Sequence, residues 1–245
     1  MKKTLLAAAI VAIMPITSHA LVEVGAKASI WNAEATGQID NNVSVEKDGL
    51  NLKSSNGTQL TVYLKHPIPV LPNLKLKSTT LDTKGKGSLN ASFADQTFNE
   101  AVSSKIDLSH TDATLFWTLP IPMVDIDLGL TARMFDGDAS VTGNTAGTKA
   151  VDLDMTLPMG YAAVRVGLPF NLYVAGDANY IGFGKNKMLD YNASVGYVLP
   201  VPIVNVGVEL GYRSFSLETD KKDVDIETDL DVKGLFYGAS LSFGF

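Results

Sequence analysis

One place in this 245-residue chain brings histidine, hydroxyl and carboxylate side chains close together in sequence. His110 follows Ser109 and lies between Asp107 and Asp112. A histidine steadied by a carboxylate can take a proton from a serine hydroxyl and so make a nucleophile. The spacing works against that chemistry. Adjacent residues in a strand point to opposite faces, so Ser109 and His110 cannot serve each other as nucleophile and base. Of the other histidines, His66 adjoins a proline turn and His19 falls in a leader segment. Acidic doublets recur at Asp136-Gly-Asp138, Asp152-Leu-Asp154, Asp223-Val-Asp225 and Asp229-Leu-Asp231. Carboxylates so spaced can share a Ca²⁺ or Mg²⁺ ion, but none has the twelve-residue loop pattern of a dedicated site. Charged extensions that keep strand edges soluble are the better account of them. Gly182-Phe-Gly184 precedes no helical pattern, so it is not a dinucleotide fingerprint. No catalytic, cofactor-binding or metal residue is assigned, no cofactor is expected, and the chain reads as a non-enzyme.

The elements around these residues are strands. From Leu235 to Phe245 every second side chain is apolar: Leu235, Tyr237, Ala239, Leu241, Phe243 and Phe245, with glycine and serine mostly between. Period two is the strand period. The same alternation marks Val22–Ala35, Gln59–His66, the segment from Leu74, Ala113–Leu119, Val124–Met134, Leu189–Leu199 and Val204–Tyr212, with a less regular stretch at Leu172–Phe183. Between Val151 and Leu168 the apolar parity switches, from Leu153, Met155 and Leu157 to Val164, Val166 and Leu168. A β-bulge at Pro158-Met-Gly160 is expected there.

Proline clusters separate the strands. Pro67-Ile-Pro69, Pro120-Ile-Pro122, Pro200-Val-Pro202 and the shorter Leu168-Pro-Phe-Asn171 sit between alternating runs, where the missing N–H of proline ends a ladder. The 18 uncharged residues between Asp190 and Glu209 could suggest a spanning helix, but Pro200 and Pro202 interrupt them and the apolar spacing is two. Longer polar stretches, 41–55, 88–105 and 218–228, alternate with these tight turns as outer loops.

Ionisable residues fall on the non-apolar strand faces: Glu23, Lys27, Lys65, Lys75, Asp127, Arg133, Arg165, Asp177, Glu209 and Arg213. A sheet with greasy and charged faces could be a soluble sandwich. Charges confined to one face, and turns alternately short and long, favour a barrel in lipid with those ten residues lining its lumen. Closure is required there because an unpaired backbone group in hydrocarbon costs several kcal/mol. The expected fold is all-β: a transmembrane antiparallel up-and-down β-barrel of about ten strands (eight possible), with short periplasmic turns and long extracellular loops. Both signs of charge point inward with Tyr63, Phe116 and Tyr173, so the interior should be a polar core with at most a narrow pore.

Met1-Lys-Lys3, the apolar run from Leu5 to Ile16 and Ser18-His-Ala20 have the order of a cleaved secretory signal. Residues 1–20 are expected to leave, and 21–245 to form the barrel as one domain. Removing Lys2 and Lys3 from the 20 basic residues leaves 18 against 26 acidic, which argues against nucleic acid as a partner. There is no cysteine, so disulfides and thiolate metal sites are excluded.

The signal, the alternating strands, the repeated turns and the aromatic terminus together resemble small Gram-negative outer-membrane β-barrel proteins, and within them an uncharacterised family of short outer-membrane proteins. The resemblance implies a multi-pass barrel in the cell outer membrane, surrounded by outer-membrane lipids and lipopolysaccharide, with divalent cations possible at the acidic loops. It also implies delivery by periplasmic chaperones and insertion by machinery that reads the last strand through Tyr237, Leu241, Phe243 and Phe245. The expected function is a structural or surface-interaction role in the cell envelope. The alternatives are a narrow channel for small solutes or ions, and a lipid- or peptide-acting enzyme, which would need His110.

Overall fold

The computed structural model describes residues 22–40, 43–219 and 227–244. The expected signal segment, the doublet Asp223 and Asp225, and Phe245 lie outside the described residues. Within them the chain forms strands and no helix: β1 Glu23–Ile39, β2 Val43–Ser44, β3 Ser55–Lys65, β4 Asn73–Thr80, β5 Asp82–Phe93, β6 Gln96–Asp107, β7 His110–Ile121, β8 Val124–Phe135, β9 Asp138–Gly143, β10 Gly147–Asp152, β11 Thr156–Gly167, β12 Leu172–Phe183, β13 Asn186–Leu199, β14 Val204–Thr219 and β15 Thr228–Gly244.

Ten of these strands pair antiparallel in the order β15-β14-β13-β12-β11-β8-β7-β4-β3-β1, and β1 returns to β15. The sheet has no free edge. Its outer surface carries Leu60, Val62, Leu76, Leu115, Leu128, Leu130, Val164, Val195, Leu210, Leu235 and Leu241, all exposed. On β8 the apolar set runs from Val124 to Met134, about 33 Å of strand at roughly 3.3 Å per residue. A tilt near 40° turns that into a band about 25 Å tall, the height of a hydrocarbon core spanned by an outer-membrane barrel. No soluble surface carries such a band around its whole circumference. The protein is an outer-membrane-type transmembrane β-barrel.

The tight turns gather at the end that also holds both described termini. Three of them place an apolar residue in the left-handed region: Met123 after Pro122, Phe170 before Asn171, and Ile203 after Pro202. Phe170 and Ile203 are more than 80% exposed. The ladders hold the turns in this conformation, which costs a non-glycine residue about 1–2 kcal/mol.

At the other end the structure departs from the expectation of long polar loops. Residues 88–105 are not a loop: β5 and β6 form a hairpin with a two-residue turn at Ala94-Asp95, both at positive φ. β9 and β10 form a second hairpin, which pairs with β6. The resulting four-stranded sheet, in the order β10-β9-β6-β5, continues the wall made by β11, β8, β7 and β4. Opposite it stand the long ends of β14, β15 and β1. Between the two walls lies an apolar core containing Trp31, Val43, Leu50, Phe93, Phe98, Val141, Phe215 and Val232.

The bulge expected at Pro158-Met-Gly160 is absent. The β11–β8 ladder runs without a slip from Thr156 opposite Met134 to Val166 opposite Val124. The strand does not change register; its surroundings change. Leu157 and Met159 face inward into the apolar core, while Val164 and Val166, of opposite parity, face outward in the band.

Candidate functional site

The bore is the place where ionisable side chains converge. The inward parity of each strand sets them: on β8, Asp127, Gly129, Thr131, Arg133 and Phe135 alternate with outward apolar residues. Near the lower mouth, Tyr63 donates to Glu23 at 2.7 Å, Lys27 pairs with Glu209, and the Arg165 guanidinium lies over the Tyr173 ring at 3.7 Å. Two of these rings lie against inward glycines of the next strand: Tyr63 opposite Gly25, and Tyr173 opposite Gly196. A Cβ at either glycine would collide with the ring, so the missing side chain makes room for it.

A middle layer follows. Lys65 sits 3.6 Å from Asp127, which also accepts a 2.6 Å bond from Thr118. The Lys75 ammonium lies 3.9 Å over the Tyr161 ring. Thr114, Thr131 and Asn179, on β7, β8 and β12, are linked along one side of the bore at 2.8 and 2.7 Å. Asp177 lies opposite Asn192 in the β12–β13 ladder.

The top layer closes the bore. Arg133 on β8 donates to both oxygens of Asp112 on β7, at 2.7 and 2.8 Å, and to Asp190 on β13 at 2.6 Å. Arg213 on β14 donates to both oxygens of Asp190, at 2.8 and 2.7 Å, and to Thr79 on β4 at 3.2 Å. β4 and β13 stand on opposite sides of the ten-strand ring, so the network crosses it. Both arginines have no exposed surface. Arg213 also lies 4.5 Å over the Trp31 ring, the floor of the apolar core above. Removing one partner from such a buried cluster costs about 3–5 kcal/mol, because the remaining charge is stranded.

The ten residues read as lumen-lining thus occupy three levels. Arg133 and Arg213 meet through Asp190, Lys65 meets Asp127, and Lys27 meets Glu209; Arg165, exposed at the lower mouth, meets the Tyr173 ring instead of a carboxylate among the described residues. Sequence reasoning left out Thr79, Asp112 and Asp190, and did not include Lys77, which is also buried. Strand parity held the missing signal: Asp190 lies between outward Leu189 and Tyr191, and Asp112 shares its parity with Phe116. On the last strand, Tyr237, Leu241 and Phe243 face outward and are exposed.

His110, Asp112 and Asp190 bring potential metal-ligand atoms within 4.8 Å of one another. Two guanidinium groups already satisfy those carboxylates, so the trio is the acidic half of an ion-pair network. His110 is engaged at both ring nitrogens: Nδ1 lies 2.7 Å from the Leu108 carbonyl and Nε2 lies 3.3 Å from Arg213. With Nδ1–H donating, Nε2 accepts from a guanidinium and has no lone pair free for a base. Ser109 accepts a bond from the Leu81 amide at 3.1 Å, on the other face.

No protein-family model matches the chain, and no curated protein sequence does. Solved structures similar to it include the outer membrane protease OmpT from Escherichia coli, with 10% identity, a TM-score of 0.45, and coverage of 91% of this chain and 97% of that one. Ail, the attachment invasion locus protein of Yersinia pestis, shares 10% identity at a TM-score of 0.34, with the same coverage. Neisserial surface protein A shares 15% identity at 0.31, again with the same coverage. At these identities no activity passes from any of them to this chain.

Proposed function

We propose that this chain, a multi-pass outer-membrane β-barrel, is a non-enzymatic envelope protein with a closed bore, whose working part is the sheet raised above the membrane. The observation that carries this reading is the Arg133–Asp112–Asp190–Arg213 network, fully buried and linked to strands on both sides of the ring. A conducting channel keeps its charged groups hydrated, and here the apolar core lies directly above them. The engaged ring nitrogens of His110 support a structural role for that residue. Residues 1–20 act as the export signal in this reading, and the apolar face of β15, with Tyr237, Leu241 and Phe243, is what periplasmic chaperones and the insertion machinery recognise. Divalent cations shared with lipopolysaccharide would have to compete at the acidic doublets with Lys105 on Asp138 and with Lys233 on Asp231.

The test is conductance of the full chain in planar lipid bilayers, with folding checked by heat-modifiable gel mobility. Folded protein is expected to give no discrete current steps. Reproducible single-channel steps would replace this reading with that of a narrow channel. Turnover of a lipid or peptide that disappears in His110→Ala would replace it with an enzyme.

A further inference from the structure

The outward face of the raised sheet concentrates positive charge on an otherwise acidic protein. Lys84 on β5 stands directly opposite Lys105 on β6. On the other edge of β5, Leu52 bridges Gly85 and the Lys53 amide donates to the Lys84 carbonyl at 3.0 Å, which brings Lys53 into the same row. Lys86 lies two residues further along β5, on the same face. These four lysines, with Ser140 and Thr142, line a concave patch of about 550 Å³. Like charges placed directly opposite in a sheet oppose folding. Lys105 is offset by Asp107 at 3.3 Å and Asp138 at 2.8 Å, and Lys84 by Asp82 at 3.2 Å. Lys53 donates to Asn51 at 3.1 Å. Among the described residues, neither Lys53 nor Lys86 has a carboxylate within ion-pair distance.

The direction and height of the patch decide what it can meet. Strand parity is unbroken from the band into the sheet: outward Met134 on β8 leads to Asp136, Asp138, Ser140 and Thr142. The lysines therefore face sideways, over the lipids that surround the barrel. Ser140 is six residues beyond Met134, about 20 Å along the strand and roughly 15 Å above the hydrocarbon after tilt. Ordinary phospholipid headgroups reach only about 5–8 Å beyond the hydrocarbon. A phosphate at the level of the lysines must be carried on an extended saccharide.

We propose that Lys53, Lys84, Lys86 and Lys105 form a binding site for the phosphate-bearing saccharide of lipopolysaccharide in the outer leaflet. The site rests on the membrane orientation given above, and not on whether the bore conducts. It fixes the raised sheet against the surrounding lipid and supplies the counter-charge that Lys53 and Lys86 lack among the described residues.

The test titrates the full chain, folded in detergent, with short-chain lipopolysaccharide that retains its core phosphates. The same lipid after dephosphorylation and a soluble sulfated polysaccharide form the other arms. Basic residues near an anionic lipid surface contribute about fivefold in affinity each. The triple variant Lys53→Gln/Lys84→Gln/Lys86→Gln is therefore expected to bind about a hundredfold more weakly, with unchanged heat-modifiable mobility. Dephosphorylated lipid should bind no better to wild type than to the triple variant, and Lys233→Gln on the opposite wall should bind as wild type does. Unchanged affinity in the triple variant, equal binding of dephosphorylated lipid, or tighter binding of the sulfated polysaccharide would overturn the assignment. Current steps with lipid binding intact would overturn the closed bore alone.

Discussion

Below the arginine layer the wall carries its apolar side chains outside and its charges inside; above it, the same strands do the reverse. On β1 the apolar set passes from outward Val24 and Ile30 to inward Trp31, Ala33 and Ile39. On β14 it passes from outward Val208 and Leu210 to inward Phe215 and Leu217, and on β15 inward Leu230 and Val232 precede outward Leu235 and Tyr237. No ladder slips at the change: the β13–β14 pairing holds from Leu199 opposite Val206 to Lys187 opposite Glu218. The continuous strands β1, β14 and β15 therefore belong to a membrane barrel at one end and, with the four-stranded sheet facing them, enclose an apolar core at the other. The apolar face follows whichever side excludes water, which is lipid outside the lower part and a packed interior in the upper part. Arg133, Arg213 and His110 mark the boundary, the polar floor beneath the Trp31 and Phe215 rings.

The largest effect should come from the interior of the upper part. Phe98 is fully buried there, and Phe98→Ala is expected to cost about 3–5 kcal/mol. In limited proteolysis of the folded protein in vesicles, the raised sheet should be cut while the band stays protected. If whole-barrel digestion accompanied it, the two ends would not be distinct units.

A paired substitution compares the outer faces. Leu128→Arg places a charge in the middle of the band and should destabilise the barrel in lipid by about 2–4 kcal/mol. Thr142→Arg, outward at the top of the same wall, should change stability by no more than about 0.5 kcal/mol. Denaturant titration of both variants in vesicles measures the difference. Equal costs would mean that the upper face also meets lipid.

The smallest effect concerns pH. Backbone amides of Ala146 and Thr145 donate to the Glu100 carboxylate at 2.8 to 3.1 Å and hold it below the usual glutamate range. A depressed folded-state value means the contribution is present above the ordinary glutamate pKa and is lost as pH falls through the folded one. Amide exchange at Thr145 and Ala146 should therefore accelerate in acid relative to amides in the band. In Glu100→Gln that pH dependence should vanish.

Much of the barrel was legible in the chain. Period two in Val124–Met134 and Leu235–Phe243, with prolines at 120, 122, 200 and 202, is a local property that any strand in lipid must show, so strand identity, inward parity and tight turns followed from it. Apolar residues of the opposite parity at Leu153, Leu157, Phe215 and Leu230 were equally visible but ambiguous. A bulge and a change of surroundings leave the same mark in one strand. Only pairing distinguishes them, and pairing is set by neighbours far away in sequence. Residues 88–105 looked like loop because their outward face is polar, while their inward apolar residues acquire a partner only when β2, β14 and β15 close over them.

The sequence by itself determined that strands would form, which faces were greasy, and where the chain must turn, because those depend on side-chain alternation and on the missing amide of proline. The tertiary structure alone decided the closure at ten strands, the meeting of Arg133, Asp190 and Arg213 across the bore, and the alignment of three lysines in one row. Each of those depends on register between strands, where a shift of a single residue would turn every side chain to the other face.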